Sequence, residues 1–267
     1  MCRRAANIVL ILCSSLKMFG QEKQAASAQE LADKLANPVA SLISVPFQSN
    51  VDYGIGPYHG SKYTLNFQPV VPIKISPTLN LITRYIIPIV DQHDISSEGE
   101  IEFGLSDATI SAFFSPSKIV NGWIWGAGPA FLIPIGTDDP LSTRKWAAGP
   151  TALILRQAAG LTYGFLANQL WSFAGEANRS EVNQMFFQPF FSKSWKSGAS
   201  VVINSEMTFN WEANTTTISL NPLVSGITKL GKQVVQLGVG PRIPLSYPSE
   251  TRPDFGIRAV ITFVFPK

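Results

Sequence analysis

The chain has 267 residues, enough for one large or two ordinary domains, and its 45% apolar content supplies a core and excludes a disordered or collagen-like polymer. Only 15% of residues are charged while 11% are aromatic, so much of the surface faces something other than water. No run reaches the roughly 18 consecutive apolar residues of a membrane-spanning helix, so passage through a bilayer would have to use strands.

Arg3 and Arg4 precede an apolar run from Ala5 to Leu16 and a polar stretch ending in Ala26-Ser27-Ala28, the order of a secretory signal for Sec-type export. Residues 1–28 are read as this leader; a cut after Gly20 is the alternative. Four basic residues (Arg3, Arg4, Lys17, Lys23) and one acidic residue (Glu22) leave with it, taking the formal charge from +3 to zero. A neutral mature chain gives no reason to expect a nucleic-acid partner. Both cysteines, Cys2 and Cys13, leave as well, so no disulfide framework is available. Cys13 is a poor lipid-attachment site, because Ile11 and Leu12 are bulky where that signal needs small residues.

Residues 29–44 place Leu31, Leu35, Leu42 and Ile43 at near-helical spacing, broken by Pro38, with Asp33 and Lys34 opposite. A short amphipathic helix is expected there, packing at one end of the domain or plugging it.

From residue 45 to 267 the period changes to two, the mark of strands with two different faces. Over Ser200–Glu212, Val201, Ile203, Met207, Phe209 and Trp211 alternate with Asn204, Glu206, Thr208, Asn210 and Glu212, with Ser205 the polar exception. Tyr63, Leu65, Phe67 and Val71 are set against Lys62, Thr64, Asn66 and Gln68, and Phe255 to Phe265 repeats the pattern around Arg258 and Thr262. Breakers divide the region into about twelve segments, and longer polar intervals such as Asp91–Gly99 and Gly136–Arg144 alternate with tight ones such as Gln157–Ala159. That rhythm predicts an all-β, up-and-down antiparallel barrel of about twelve strands, with both termini at the short-turn end. Prolines inside the strands (Pro69, Pro129, Pro150, Pro189, Pro222, Pro241) predict local breaks, since proline cannot donate to a ladder.

Alternation alone leaves open whether the apolar face meets a core or lipid. A soluble ring of twelve strands would enclose a large apolar cavity. Secretion, the lack of mature cysteine, aromatics near segment ends (Tyr63, Tyr85, Trp123, Trp125, Trp146, Trp171, Trp195, Trp211) and a last strand closing on Phe263 and Phe265 instead fit a transmembrane barrel of the bacterial outer membrane. Outer-membrane lipid and the outer-membrane assembly machinery are then the expected partners.

The blocks NPVASLISVPFQSN (Asn37–Asn50), GIGP (Gly54–Pro57), QPVVPI (Gln68–Ile73), FGLSDATISAFFSP (Phe103–Pro116) and GAGPAFLIPIGTD (Gly126–Asp138) resemble the bacterial outer-membrane family named for the meta-pathway of phenol degradation. The resemblance covers most of the mature chain. It implies an outer-membrane channel or transporter passing small, often aromatic or apolar, molecules, and it carries no catalytic residues and leaves the permeant unnamed.

With apolar side chains toward lipid, the opposite phase lines the interior. It nominates Gln68, Asn80, Arg84, Glu102, Asn204, Glu206, Gln236, Arg242, Arg258 and Thr262, joined by Asp107 after a phase slip near Ser106. Charges of both signs there either line a permeation path or pair across the barrel and hold it shut. An enzyme is not expected. His59 and His93, near Ser61 and Ser96, fall in expected loops with no third orienting residue. The acidic loop residues lack metal-ligand spacing, and GIGP and GAGP lack the helix that a phosphate-binding loop needs, so neither a metal nor a cofactor is expected. The alternatives are a non-transporting barrel that serves as a surface scaffold and a membrane-embedded lipid hydrolase.

Overall fold

A computed structural model describes residues 28–265. The expected leader through Ser27, with both cysteines, lies outside the described residues. Fourteen β segments follow one helix: β1 (Ile43–Ile55), β2 (Gly60–Phe67), β3 (Val70–Lys74), β4 (Leu79–His93), β5 (Ile101–Leu105), β6 (Ala108–Pro116), β7 (Trp123–Ile133), β8 (Lys145–Ala158), β9 (Leu161–Gly175), β10 (Asn183–Ser194), β11 (Ala199–Asn210), β12 (Thr215–Leu230), β13 (Gln233–Ser246) and β14 (Phe255–Phe265). They make twelve strands, because β2 with β3 and β5 with β6 are halves of single strands facing β4. Each pairs antiparallel with its sequence neighbours, and β1 also pairs with β14 from Ile43↔Phe265 to Tyr53↔Phe255. That last ladder closes the ring, which leaves no sheet edge unpaired.

The pleat sorts side chains between two faces. On β8, Trp146, Ala152, Ile154 and Arg156 are exposed outside while Lys145, Ala147, Thr151, Leu153 and Leu155 are buried inside. The outer face carries a continuous set of exposed apolar side chains, far larger than a water-soluble surface tolerates. Aromatics concentrate at its two rims. Tyr53 stacks on Phe255 at 5.2 Å and Phe209 on Trp211 at 5.7 Å near the long-loop end, and Trp123 lies under the Arg156 guanidinium at 5.9 Å near the short-turn end.

The prolines break the ladders in a regular way. Pairing skips residues between Ser111↔Ala130 and Phe114↔Ala127, between Ala148↔Trp171 and Thr151↔Asn168, between Phe187↔Met207 and Phe190↔Asn204, and between Leu220↔Ile243 and Val224↔Val239. Pro129, Pro150, Pro189, Pro222 and Pro241 lie in these gaps, while Pro69 separates β2 from β3. Beside three of these prolines is an inward-facing glycine over which a neighbouring carbonyl moves. A Cβ on Gly128, Gly149 or Gly240 would lie 2.0, 1.9 or 1.9 Å from the oxygen of Ala112, Gln169 or Pro222. Only glycine accepts that approach.

Two expectations need correction. The helix covers residues 28–35 rather than 29–44, because Asn37 turns the chain, its Oδ1 accepting from the Val39 N–H at 3.0 Å, and Pro38 has no N–H to continue. Strand β1 accordingly starts at Ile43. His93 is not in a loop but ends β4, paired with Ser61 and Ile101, and its ring is 3.0 Å from the Asp91 carboxylate.

Candidate functional site

The interior is the concave surface of this barrel, and the inward phase of each strand decides its chemistry. One sector is charged. Arg258 on β14 places Nη1 and Nη2 each 2.8 Å from the two Glu206 oxygens on β11, and its Nε donates to Asn50 on β1 at 2.7 Å. Since β11 and β14 are not neighbours in the sheet, this contact runs through the lumen. Arg242 on β13 extends it, donating to Asp52 at 3.1 Å with a second nitrogen 3.6 Å from Glu206, and Tyr247 reaches the same cluster by a very short contact with Ser219. Two arginines and two carboxylates thus form an ionic bridge along one side of the bore. Arg258 has only 2% of its surface exposed, so the bridge is held by bidentate geometry in a poorly hydrated place.

The opposite sector is apolar. Ile82, Phe113, Ile124, Leu153, Leu155 and Leu166 are buried in one cluster, with Phe186 and Phe190 packed against it. These side chains point inward, contrary to the expectation that the inward phase is polar throughout. On β8 both phases are apolar, so period-two contrast carries no signal there. The interior is therefore two-faced, with charge on one wall and hydrocarbon on the other.

Toward the long loops, the bridge forms the floor of a cavity of about 400 Å³ lined by Asp52, Lys62, Thr64, Glu206, Arg242 and Tyr247 among others. Toward the short turns, the N-terminal segment occupies the bore. Leu31 and Leu35 pack with Ala40, Leu42, Val234 and Val264, Val39 enters the apolar wall, and Gln157 donates to the Asp33 carbonyl at 2.6 Å. Between this segment and the bridge lie two chambers of about 160 and 210 Å³ that share Leu35, Pro38, Gln68, Gln188, Gln236 and Thr262 in their walls.

The expected lining residues divide accordingly. Glu206, Arg242 and Arg258 build the bridge. Asn204 bonds Asn221 at 3.0 Å, Gln236 bonds Ser225 at 3.2 Å, and Gln68, Arg84, Gln236 and Thr262 line the chambers. Asn80 lies in a separate pocket by the short turns. Glu102 is buried, with Ser96 donating to one oxygen by a very short contact and the other oxygen without a partner. Asp107 faces no open path. It accepts from Gly136 N, Ser142 Oγ, Thr143 N and Thr143 Oγ1 at 2.6 to 3.2 Å, clasping the β7–β8 loop over the barrel. Lys145 supports the same rim, its Nζ 2.6 Å from Glu181. That bond, with a second from Ser172, holds the Glu181 carboxyl below its ordinary range. At the other end burial raises the Asp33 carboxyl against the opposing influence of Ser194 and Lys193. Sequence reasoning missed Asn50 and Asp52, although their alternation with Val51 and Tyr53 was visible, and missed the apolar wall altogether.

Ser96 donates to Glu102, and Ser61, although opposite His93 in the β2–β4 ladder, makes no side-chain hydrogen bond with it; the His93 ring is held by Asp91 instead. Among the described residues no group of three or more His, Cys, Asp or Glu could hold a metal ion.

A closed antiparallel ring with an apolar, aromatic-rimmed exterior and a charged interior defines the architecture of an outer-membrane β-barrel. No family model matches the chain, and no curated protein matches it. Among solved structures it is similar to an outer membrane channel from Pseudomonas putida F1, at TM-score 0.64 and 13% identity, over 84% of this chain and 94% of that one. Looser likenesses are outer membrane phospholipase A from Escherichia coli (TM-score 0.46, 9% identity, 83% and 92% of the two chains) and the calcium-bound outer membrane phospholipase dimer of Salmonella typhi (0.47, 8%, 83% and 90%). The first likeness establishes a shared fold, and the other two carry no argument about activity.

Proposed function

We propose that this protein is a channel of the bacterial outer membrane, exported through a cleaved N-terminal signal, that passes small molecules without catalysing a reaction. The observation that carries this reading is the divided interior: a cavity at the long-loop end and two chambers at the short-turn end, separated by a bridge that covers only one side of the bore. An interior needed only for stability would be filled across its width. The long loops face outward and residues 28–42 close the periplasmic mouth, so passage requires that segment to shift. The family resemblance supports the same reading, since two of its blocks meet the bore: residues 37–50 enter it and 68–73 contribute to the chamber wall.

A test is swelling of liposomes containing the purified full chain, with a small sugar and urea as solutes, alongside conductance across planar bilayers. Passage of either solute above empty liposomes is expected. Liposomes that stay impermeable and a bilayer that stays silent, for the full chain and for a variant with Leu31, Leu35 and Val39 changed to Ser, would overturn the channel reading. They would favour the scaffold reading, for which the occupied short-turn mouth is the supporting observation.

A further inference from the structure

Arg84 differs from the other interior arginines. Arg258 and Arg242 each hold carboxylates, whereas Arg84 makes one hydrogen bond, from Nη2 to Gln68 Oε1 at 3.2 Å, and no carboxylate lies within ion-pair distance among the described residues. Glu206, whose field reaches it, is already engaged by Arg258 and Arg242. A guanidinium enclosed in protein without a counter-charge is unfavourable until an anion joins it, and its fork geometry suits a carboxylate. Arg84 faces the smaller chamber, where Gln68, Gln188, Gln236 and Thr262 offer further polar contacts.

The adjoining chamber is of the other kind. Phe190, Val202, Leu223 and Val260 give it an apolar side opposite polar wall residues such as Ser200, Asn204 and Ser225, and its volume of about 210 Å³ exceeds the roughly 150 Å³ in which an apolar cavity holds benzene. The shared wall residues make the two chambers contiguous. The second nearby cation, Lys34, has its Nζ held by Glu30 at 2.8 Å, so the site offers one uncommitted positive charge beside one ring-sized space with an apolar side.

From this juxtaposition we infer that the chambers beneath the N-terminal helix bind an amphipathic monocarboxylate, with its carboxylate on Arg84 and its hydrocarbon or aromatic body against Phe190, Val202 and Leu223. The inference rests on the channel reading and names the solute class the bore selects. A dianion would leave one charge unmatched, and a neutral hydrocarbon would leave Arg84 bare. A small hydrophilic carboxylate would leave the apolar wall wet.

The test is calorimetric titration of the purified full chain with benzoate, benzyl alcohol and acetate. Benzoate is expected to bind at least about tenfold more tightly than either of the others. Arg84→Gln is expected to remove that advantage, and Phe190→Ser to weaken benzoate but not acetate. Gln188→Glu places an internal counter-ion in the same chamber and is expected to abolish benzoate binding even if Arg84→Gln folds poorly; heat-modifiable gel mobility reports folding for each variant. Benzoate binding no tighter than benzyl alcohol, or unchanged in folded Gln188→Glu, overturns the inference. Liposome swelling with the small sugar, run on the same preparation, reads the channel independently. Swelling without a benzoate preference removes the site and keeps the channel, and an Arg84-dependent benzoate preference without swelling does the reverse.

Discussion

Glu206→Gln is the sharpest test of the ionic bridge. The substitution keeps volume and shape but removes the charge that two arginines share. Arg258 directs two N–H groups at the carboxylate, each at 2.8 Å, with only 3% of its side chain exposed. A glutamine offers one oxygen to those two donors and turns its own NH₂ toward the second, so one charge-assisted bond becomes a donor–donor clash. Breaking a buried pair costs about 3–5 kcal/mol. Glu206 is 24% exposed, so water softens the loss, and about 2–3 kcal/mol is expected, a change of roughly 30- to 150-fold in the folding equilibrium. The measurement is denaturant unfolding of the protein in lipid vesicles, followed by tryptophan fluorescence, for the wild type, Glu206→Gln, Arg258→Gln and the double variant. The double variant should cost less than the sum of the singles by about 1.5 kcal/mol or more, because neither partner is left stranded. A Glu206→Gln protein within about 0.5 kcal/mol of wild type, or strictly additive singles, would show that the bridge does not hold the barrel.

Asp107→Ala removes four hydrogen bonds to the β7–β8 loop. That loop should become the first site of limited proteolysis on intact cells, while the barrel keeps its heat-modifiable mobility. Gly128→Ala puts a methyl 2.0 Å from the Ala112 oxygen and should cost about 3 kcal/mol or prevent folding, whereas Gly226→Ala, with open space around it, should be close to neutral in the same unfolding assay. Burial raises the folded pKa of Asp33 above its ordinary 3.8, so docking of residues 28–42 is favoured by protonation and weakens as pH rises from 3.8 through the raised value. Asp33→Asn should therefore slow amide exchange in that segment at neutral pH and leave it unchanged in acid. Glu181 has the opposite sign: its pKa is held below 4.5 by Lys145 and Ser172, so its contribution to the loop rim is present above 4.5 and lost as pH falls through the lowered value, a loss that Glu181→Gln should abolish in acid unfolding curves.

Legibility of the sequence followed contrast between the two faces of each strand. On β11 the outward positions are apolar or small and most inward positions polar, and on β14 the outward positions are all apolar with Arg258 and Thr262 on the other phase, so the alternation by itself places Glu206 and Arg258 inside. Strand count and the alternation of turn lengths followed from the same contrast and from the breakers. On β8, by contrast, Ala152, Leu153, Ile154 and Leu155 form a continuous apolar run, and period two cannot say which of them faces lipid. The apolar half of the interior was invisible for that reason. Pairing of interior charges across the barrel was an open alternative, but which residue meets which was beyond reach: Asp107 had the right phase, yet its partners lie 29 to 36 residues away in a loop whose fold no periodicity describes.

The placement of the ladder breaks explains how a kinked barrel can still hold a bridge of charges to hydrogen-bond precision. From β6 to β14 breaks fall at alternate interfaces, β6–β7, β8–β9, β10–β11 and β12–β13, while β7–β8, β9–β10, β11–β12 and β13–β14 run through the same height without a gap. Each strand from β7 to β13 therefore keeps one intact neighbour. Glu206 lies in the β10–β11 gap but remains in register with Ser219, and Arg242 lies in the β12–β13 gap but remains in register with Gly256. Asp52 and Arg258 sit on the uninterrupted β14–β1 ladder. The four bridge residues are thus each anchored by a continuous ladder, as bidentate geometry requires.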